Sequence, residues 1–184
     1  MFEVTIRNSL GIDVLVNNAG VLRKETLANI TCDAFAISMN VNVRSALLLT
    51  QASVQYLESS AIKAVVNVSS IAGLRAYLGT LPYKMSKAAM DQMTRCNALE
   101  LAPKGIRVNS VNPGVIDTEI FNRSGMSEEE ITRYFEKCKT THPIGRIGSP
   151  LEVAKCIAFL ASSDASFVCG QTLAVDGGRS VQCP

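Results

Sequence analysis

Short runs of apolar residues recur along the chain, and polar or glycine-containing segments follow most of them. Four such runs, rich in valine, isoleucine and leucine and with little alternation, cover residues 12–16, 64–68, 106–111 and 172–175. Continuous apolar runs of this length are typical of strands that helices cover on both faces of a parallel sheet. The pattern therefore predicts four buried parallel strands.

Helical patterns fill the segments between these runs. The sequence predicts four helices, over residues 33–57, 81–102, 127–137 and 149–161. The last two begin at serines that are followed by glutamates, the pattern of a capped helix start. Strands that alternate with helices of this length form right-handed units around a parallel sheet. We therefore expect a single α/β domain over residues 1–184, built on a doubly wound parallel sheet.

Polar or turn-forming clusters directly follow the first three predicted strands. They read Asn17-Asn18-Ala19-Gly20, Ser69-Ser70 and Asn112-Pro113-Gly114. The carboxyl ends of parallel strands lie at one edge of the sheet, and open α/β sheets bind their ligands beyond that edge. The three clusters are therefore predicted to meet at one ligand-binding edge.

Composition narrows the classes of function. The 184 residues carry 18 basic and 16 acidic side chains, a net charge of +2 that favours neither nucleic acid nor an anionic membrane as a partner. No apolar stretch approaches the roughly 20 residues of a membrane span, and the first residues do not resemble a secretory signal. Six scattered cysteines without a Cys-x-x-Cys pair are expected to be free thiols in a reducing compartment. These features predict a cytoplasmic protein, with the mitochondrion as the alternative.

His142 is the only histidine of the chain. It precedes Pro143 in a polar turn, and we expect it to be a solvated loop residue. One histidine without clustered cysteines predicts no metal site.

Tyr83 and Lys87 are candidates for acid–base chemistry. Residues four apart lie on the same face of a helix. The ammonium of Lys87 is therefore expected near the phenol of Tyr83, where it would lower a pKa that normally lies near 10. A tyrosine tuned in this way exchanges a proton with a hydroxyl or carbonyl oxygen while hydride moves at carbon. The pair by itself is weak evidence, because Tyr-x-x-x-Lys arises by chance in about one chain in four.

Two further polar residues strengthen this interpretation. Ser70 lies thirteen residues before Tyr83, just beyond a predicted strand, where its hydroxyl would stabilise a substrate oxygen; a turn cap is the alternative. Asn42 lies inside an otherwise apolar helix, where asparagine is unfavourable. We expect Asn42 to mark a bend that holds a water, and Asn40 to lie at the surface.

Taken together, these residues resemble the short-chain dehydrogenase/reductase family, from about Gly11 to Gly178. The matching motifs, in order, are Asp13-Val-Leu-Val-Asn-Asn-Ala-Gly20, Asn42 before Val-Arg-Ser, Asn67-Val-Ser-Ser70, Tyr83-x-x-x-Lys87, Arg107-Val-Asn-Ser-Val-Asn-Pro-Gly114 and Val175-Asp-Gly-Gly178. The segment Pro143-Ile-Gly-Arg-Ile-Gly-Ser-Pro-Leu-Glu-Val-Ala is similar to that of the 3-oxoacyl-carrier-protein-reductase-like subgroup.

The resemblance implies a Rossmann-like fold and an oxidoreductase that interconverts an alcohol and a ketone or aldehyde with NAD or NADP. It implies that Tyr83 is the acid–base residue, that Ser70 positions the substrate oxygen, and that Lys87 lowers the pKa of Tyr83 and holds the nicotinamide ribose. Asn42 would anchor a water in a proton relay to Lys87, and residues 117–147 would form a substrate lid. Besides Tyr83 and Lys87, the implied cofactor contacts are Asn18, Ala19, Gly20, Pro113, Gly114, Ile116 and Thr118.

The family pattern begins with a strand and a Thr-Gly-x-x-x-Gly-x-Gly loop, which this sequence does not contain. Residues 1–10 match only the tail of the helix before the family's fourth strand, so the first three strands are expected to be missing by truncation. The glycine-rich loop holds the pyrophosphate at a helix N-terminus, and the lost segment selects NAD or NADP. Cofactor binding is therefore expected to be weakened, and the strand at 12–16 is expected to form an exposed apolar edge.

Two functions remain open at this point. The first is an oxidoreductase that acts on a small-molecule alcohol or carbonyl compound and forms a homo-oligomer. The second is a catalytically impaired, truncated isoform that binds full-length relatives through helices 33–57 and 81–102, whose apolar residues exceed what one sheet face covers. Apolar residues in the lid indicate a partly hydrophobic substrate, although helix packing explains them equally well: Ile120, Phe121, Met126 and Phe135.

Overall fold

A four-stranded parallel sheet forms the centre of the computed structural model, which describes residues 11–182. The strands lie side by side in the order β1-β2-β3-β4. They are β1 (Val14–Asn17), β2 (Ala64–Val68), β3 (Arg107–Pro113) and β4 (Thr172–Val175). The four predicted strands are thereby confirmed, although β1 begins two residues later and β3 ends two residues later than the apolar runs. The predictions for residues 1–10 and for Cys183 lie outside the described residues.

Six α-helices are present among residues 11–182. They are α1 (Cys32–Met39), α2 (Ser45–Leu57), α3 (Leu81–Leu101), α4 (Ile120–Arg123), α5 (Glu128–Thr141) and α6 (Pro150–Ala161). The single helix predicted over 33–57 is wrong in one respect, because a π-helical segment, Asn40–Arg44, separates α1 from α2. The helix predicted to end at residue 137 continues to Thr141. None of these helices is long and apolar enough to cross a membrane.

The two predicted serine caps are confirmed. Ser127 and Glu130 form a reciprocal capping box before α5, with the Ser127 amide donating to Glu130 Oε2 at 2.8 Å. At α6 the amide of Ser149 donates to Glu152 Oε2 at 2.8 Å, and the guanidinium of Arg146 also donates to Glu152. Each box satisfies amides that a helix start leaves without partners.

Helices cover both faces of the sheet. On one face, Leu57 of α2 and Ala98 of α3 pack against Val65 of β2. On the other face, Leu160 of α6 packs against Val66 of β2. Neighbouring residues of one strand thus enter opposite cores, as expected when side chains alternate along a strand. This arrangement confirms the predicted α/β fold with a parallel sheet.

Candidate active site

The carboxyl ends of β1, β2 and β3 meet at one edge of the sheet, as predicted. Asn17 lies opposite Asn67 in the register of β1 and β2. The Asn17 Nδ2 donates to Asn67 Oδ1 at 2.8 Å and to Thr50 Oγ1 at 3.1 Å, and Asn67 Nδ2 donates to Thr94 Oγ1 at 2.9 Å. These buried bonds connect two strands to α2 and α3 directly beneath the edge.

Ser70 and Tyr83 are brought together at this edge. The Ser70 hydroxyl lies close enough to the Tyr83 phenol to act on its pKa. It also accepts the Ala72 amide at 3.1 Å, so the turn-cap role that the sequence left open is present as well. Burial raises the pKa of Tyr83, and Ser70 opposes that rise. The expectation of a lowered pKa for Tyr83 is therefore wrong in this structure.

Lys87 is buried one helical turn after Tyr83. Its Nζ donates to the Val68 carbonyl at 2.7 Å and lies 5.6 Å from the centre of the Tyr83 ring. Burial lowers the pKa of Lys87 to about 8, while the carboxylate of Asp91 acts in the opposite direction. The ammonium is hydrogen-bonded to the main chain of β2, and burial is the largest influence on the pKa of Tyr83.

Asn42 lies fully buried in the π-helical segment. Its Oδ1 accepts the Val21 amide at 2.8 Å, and its Nδ2 donates to the Val21 carbonyl at 3.0 Å and to Ser86 Oγ at 2.9 Å. The Ser86 hydroxyl in turn donates to the Tyr83 carbonyl at 2.6 Å. The predicted bend is confirmed as a π-helical turn, and Asn40 is exposed as expected. The water that Asn42 is expected to hold stays a prediction. Asn42 thus joins the loop after β1 to the turn of α3 that carries Tyr83.

The predicted cofactor contacts surround the same edge. Asn18, Ala19 and Gly20 form the exposed loop after β1. A Cβ at Gly20 would lie 3.5 Å from Asn42 Oδ1 and 3.7 Å from Lys87 Nζ, so glycine keeps the space beside the ammonium open. That space fits a ribose hydroxyl, which a lysine ammonium can hydrogen-bond.

The remaining predicted contacts follow β3. Pro113 is its last residue, and Gly114 donates its amide to the Val175 carbonyl at 3.1 Å. A Cβ at Gly114 would lie 3.0 Å from Asp176, so the close approach of these loops requires glycine. Ile116 is half-buried and Thr118 is exposed. These residues leave main-chain and small side-chain surface at the edge where a nicotinamide ring would fit.

Asp91 and Asn112 form a buried pair that the sequence analysis missed. Asn112 Nδ2 donates to both carboxylate oxygens of Asp91, at 3.0 and 3.1 Å, and to the Ser70 carbonyl at 3.0 Å. Burial raises the pKa of Asp91, and hydrogen bonds from Ser69 and Asn112 oppose that rise. The sequence does carry a signal for the role of Asp91, because Asp91 lies four residues after Lys87 and therefore on the same face of the helix.

His142 is buried, so its predicted place in a solvated loop is wrong. His142 directly follows Thr141, the last residue of α5, and this helix is four residues longer than predicted. Its Nε2 accepts the Val115 amide at 3.3 Å, and its Nδ1 lies 2.6 Å from the Cys138 carbonyl. These contacts describe a neutral imidazole whose proton is on Nδ1. Burial lowers the pKa of His142, because the charged form loses its hydration.

The segment predicted as a lid contains α4 and α5. The ring of Phe121 lies 5.6 Å from that of Tyr134 and 5.3 Å from that of Phe135, measured between centroids. Phe121 is buried together with Val115 and Cys138. Helix packing therefore accounts for Phe121.

The cysteines that the structure describes are free, as predicted. Cys32 and Cys96 are exposed, Cys138 is buried, and Cys156 and Cys169 are half-buried. Within residues 11–182, no group of three or more histidine, cysteine, aspartate or glutamate side chains is placed to hold a metal ion.

Comparison with known proteins identifies the family. The family model described as "Enoyl-(Acyl carrier protein) reductase" matches residues 1–180. The chain belongs to the short-chain dehydrogenase/reductase family. It is 40% identical over 167 residues to a 3-oxoacyl-[acyl-carrier-protein] reductase of Thermotoga maritima, which covers 91% of this chain. The chain spans only 65% of the length of that relative.

Solved structures of this family confirm the Rossmann-like fold. The ligand-free aldohexose dehydrogenase of Thermoplasma acidophilum is 32% identical, with a TM-score of 0.91 over 99% of this chain and 73% of that one. A gluconate 5-dehydrogenase of Burkholderia cenocepacia, in complex with NADP and tartrate, is 28% identical, with a TM-score of 0.89 over 98% of this chain and 69% of that one. Family members similar to this chain thus bind NADP.

Proposed function

We propose that this chain forms the acid–base half of a cytoplasmic, homo-oligomeric oxidoreductase that interconverts an alcohol and a ketone or aldehyde with NAD or NADP. One observation carries the proposal. Ser70 and Tyr83 lie together beside the buried ammonium of Lys87, whose Nζ is 5.6 Å from the centre of the Tyr83 ring, at the carboxyl edge of a parallel sheet. Membership of an oxidoreductase family supports the same conclusion.

Reduction uses the protonated form of Tyr83, which is the form of a phenol at neutral pH. Tyr83 then donates its proton to a carbonyl oxygen. Ser70 hydrogen-bonds the same oxygen and stabilises the negative charge that develops there. A bound nicotinamide cofactor supplies the hydride in reduction and accepts it in oxidation. The carbonyl thus gains a hydride at carbon and a proton at oxygen, and Tyr83 is left as the phenolate.

The residues around the edge would bind the nicotinamide end of the cofactor. Lys87, beside the open space at Gly20, would hydrogen-bond the ribose, and Asn18 and Ala19 would line it. The ring and its carboxamide would contact the segment after β3, through Pro113, Gly114, Ile116 and Thr118. The side chain of Asn42 would hold the loop after β1 in place. Both hydrogens of this side-chain amide are already donated, to Val21 and to Ser86. The relay water would therefore bind to the main chain of Asn42.

Replacement of the acid–base residue tests this proposal. We expect Tyr83→Phe to lower kcat by about 10²- to 10⁴-fold in NAD(P)H-dependent reduction of a panel of aldehydes and ketones. Binding of NAD(P)H, measured by fluorescence, should stay unchanged. Tyr56→Phe, on α2, is the matched control. A wild-type protein that binds NAD(P)H tightly and reduces none of the panel would contradict the proposal.

Exposed apolar side chains support a second candidate, a non-catalytic chain that binds full-length relatives or a second copy through α1, α2 and α3. Six large apolar residues of these helices are exposed: Phe35, Ile37, Leu47, Leu48, Met85 and Leu99. Sedimentation should then show an oligomer that Leu48→Glu dissociates and that Gln51→Glu, also exposed on α2, leaves intact. Micromolar NAD(P)H binding with turnover would contradict the non-catalytic role.

A further inference from the structure

The loop after β4 brings a guanidinium to the lid. The Nη1 of Arg179 lies 3.7 Å from Cys138 Sγ on α5, and its guanidinium carbon lies 5.8 Å from the centre of the Tyr77 ring. Arg179 also lies close enough to Tyr134 of α5 for that residue to act on its pKa. It is therefore half-buried between the lid and the loop that follows Ser70.

Among residues 11–182, no carboxylate forms an ion pair with Arg179. Burial of the guanidinium acts to lower its pKa, and the neighbouring Tyr134, Cys138 and Tyr77 act to raise it. The carboxylate of the nearby Asp176 accepts the main-chain amides of Gly178 and Ser180, at 3.1 and 2.6 Å. A guanidinium has five N–H donors, and these contacts leave donors for an anion from outside the protein.

Two tyrosines connect this guanidinium to the reacting end of the site. Tyr77 and Tyr134 both lie close enough to Tyr83 to act on its pKa, which each of them raises. A second cation reinforces the positive charge here, because Lys84 Nζ lies 4.1 Å from the centre of the Tyr77 ring and donates to the Tyr77 carbonyl. The side of the site that faces the lid is thus positively charged and lined with phenols.

We propose that Arg179 binds an anionic group of the substrate, a carboxylate or a phosphate, while Tyr83 reacts with the alcohol or carbonyl at the other end of the molecule. The inference rests on the proposed function and adds the substrate class. A guanidinium pairs with either anion through two parallel hydrogen bonds, which supply both affinity and orientation. Tyr77 and Tyr134 would flank the anionic group and the apolar part of the substrate next to it.

Matched substrates test the role of Arg179. The reduction of 4-formylbenzoate, 4-formylphenyl phosphate and the neutral methyl 4-formylbenzoate is followed with NADH and NADPH. We expect the wild type to prefer an anionic member, and Arg179→Gln to lower kcat/KM for that member by about 10- to 100-fold. The methyl ester should change less than about twofold, and Arg179→Lys should restore part of the loss. Arg133→Gln, an exposed charge on α5, is the matched control.

The outcomes separate this inference from the proposed function. If Arg179→Gln lowers kcat/KM equally for the ester and the anions, or for none of them, the anion site is wrong while the oxidoreductase stands. If the protein binds NAD(P)H and no compound turns over, the proposed function fails. Binding of 4-(hydroxymethyl)benzoate, measured by saturation-transfer NMR, then decides the anion site. The anion site is supported if 4-(hydroxymethyl)benzoate binds more tightly than its neutral methyl ester and if Arg179→Gln abolishes this binding. The anion site is overturned if the wild type binds the acid and the ester equally.

Discussion

Lys87 carries its charge in surroundings that oppose it. Burial lowers its pKa to about 8, and the carboxylate of Asp91, one turn further along α3, is the group that resists this change. Burial raises the pKa of Asp91, and hydrogen bonds from Ser69 and Asn112 oppose that rise. The amide of Asn112 also binds the Ser70 carbonyl. A chain of buried polar contacts therefore links the charge on Lys87 to the position of Ser70.

The first prediction concerns this chain of contacts. Asp91→Asn removes the negative charge that favours the ammonium, so we expect the pKa of Lys87 to fall further below its normal value. NMR titration of the side-chain resonances of Lys87 measures the change without any need for turnover. Glu100→Gln, an exposed acid on the same helix, should leave the pKa of Lys87 unaltered. A Lys87 pKa that stays the same or rises in Asp91→Asn would exclude this role for Asp91.

The second prediction uses the fact that the chain has one histidine. The native pKa of His142 lies below the value of about 6.5 for an unfolded chain. As the pH falls through that value, the unfolded state binds a proton before the native state does. This contribution to stability is complete above about pH 7.5 and is lost towards lower pH. The free energy of unfolding in urea should therefore decrease between pH 7.5 and 5.5.

His142→Gln is the decisive comparison for the second prediction. The variant has no group that titrates like imidazole, so its free energy of unfolding should depend less steeply on pH over the same range. Carboxylates such as Asp91 contribute equally to both proteins and cancel in the difference. Equal pH dependence in the untagged wild type and the variant would show that His142 is not the responsible group.

The roles of single residues could be predicted only as far as local patterns reach. The motif spacing was enough to place Ser70, Tyr83 and Lys87 together, because strand ends and helix turns have fixed geometry. The direction of the Tyr83 pKa shift is set by burial of the phenol, which outweighs the opposing effect of Ser70. The burial of His142 likewise depends on Val115, 27 positions away in the sequence. Such partners are set by tertiary packing, which one sequence does not reveal.

At the scale of elements, the π-helical segment Asn40–Arg44 is the feature that connects sequence to site. The Ser45 amide bonds to the Asn40 carbonyl, five residues earlier, which widens the turn around Asn42. π-Helical turns inside α-helices are rare and are frequently found at functional sites. The unfavourable position of asparagine in an apolar helix predicted a bend, but the partners Val21 and Ser86 could not be predicted from periodicity.

The third prediction tests the contribution of this segment to stability. Asn42→Ala removes one buried and two partly buried hydrogen bonds and leaves the main chain of Val21 without its partner. Each unsatisfied buried group costs about 1–3 kcal/mol, so the free energy of unfolding should fall by at least about 2 kcal/mol. Asn40→Ala, at an exposed position in the same segment, should change it by less than about 0.5 kcal/mol. Urea denaturation measures both, and equal effects would contradict the role assigned to Asn42.

At the scale of the whole molecule, the four strands follow from the sequence because each has apolar residues on both faces. Val65 and Val66 enter opposite cores, and only a sheet covered by two helix layers buries both side chains. The strand β1 lies at one edge of the described sheet. Among residues 11–182 only β2 pairs with β1, and Val16 of β1 is 40% exposed.

The last prediction follows from that edge. An apolar edge strand offers unpaired main-chain groups to other molecules and promotes aggregation, whereas a lysine on the edge opposes such pairing. We expect Val16→Lys to slow aggregation on heating, measured by light scattering, while the free energy of unfolding changes by less than about 0.5 kcal/mol. Ile62→Lys, at an apolar position of similar exposure, 41%, outside the strands, adds the same charge without blocking the edge. If both variants slow aggregation equally, net charge is the cause, and if only Val16→Lys does so, the open edge of β1 controls association of the molecule.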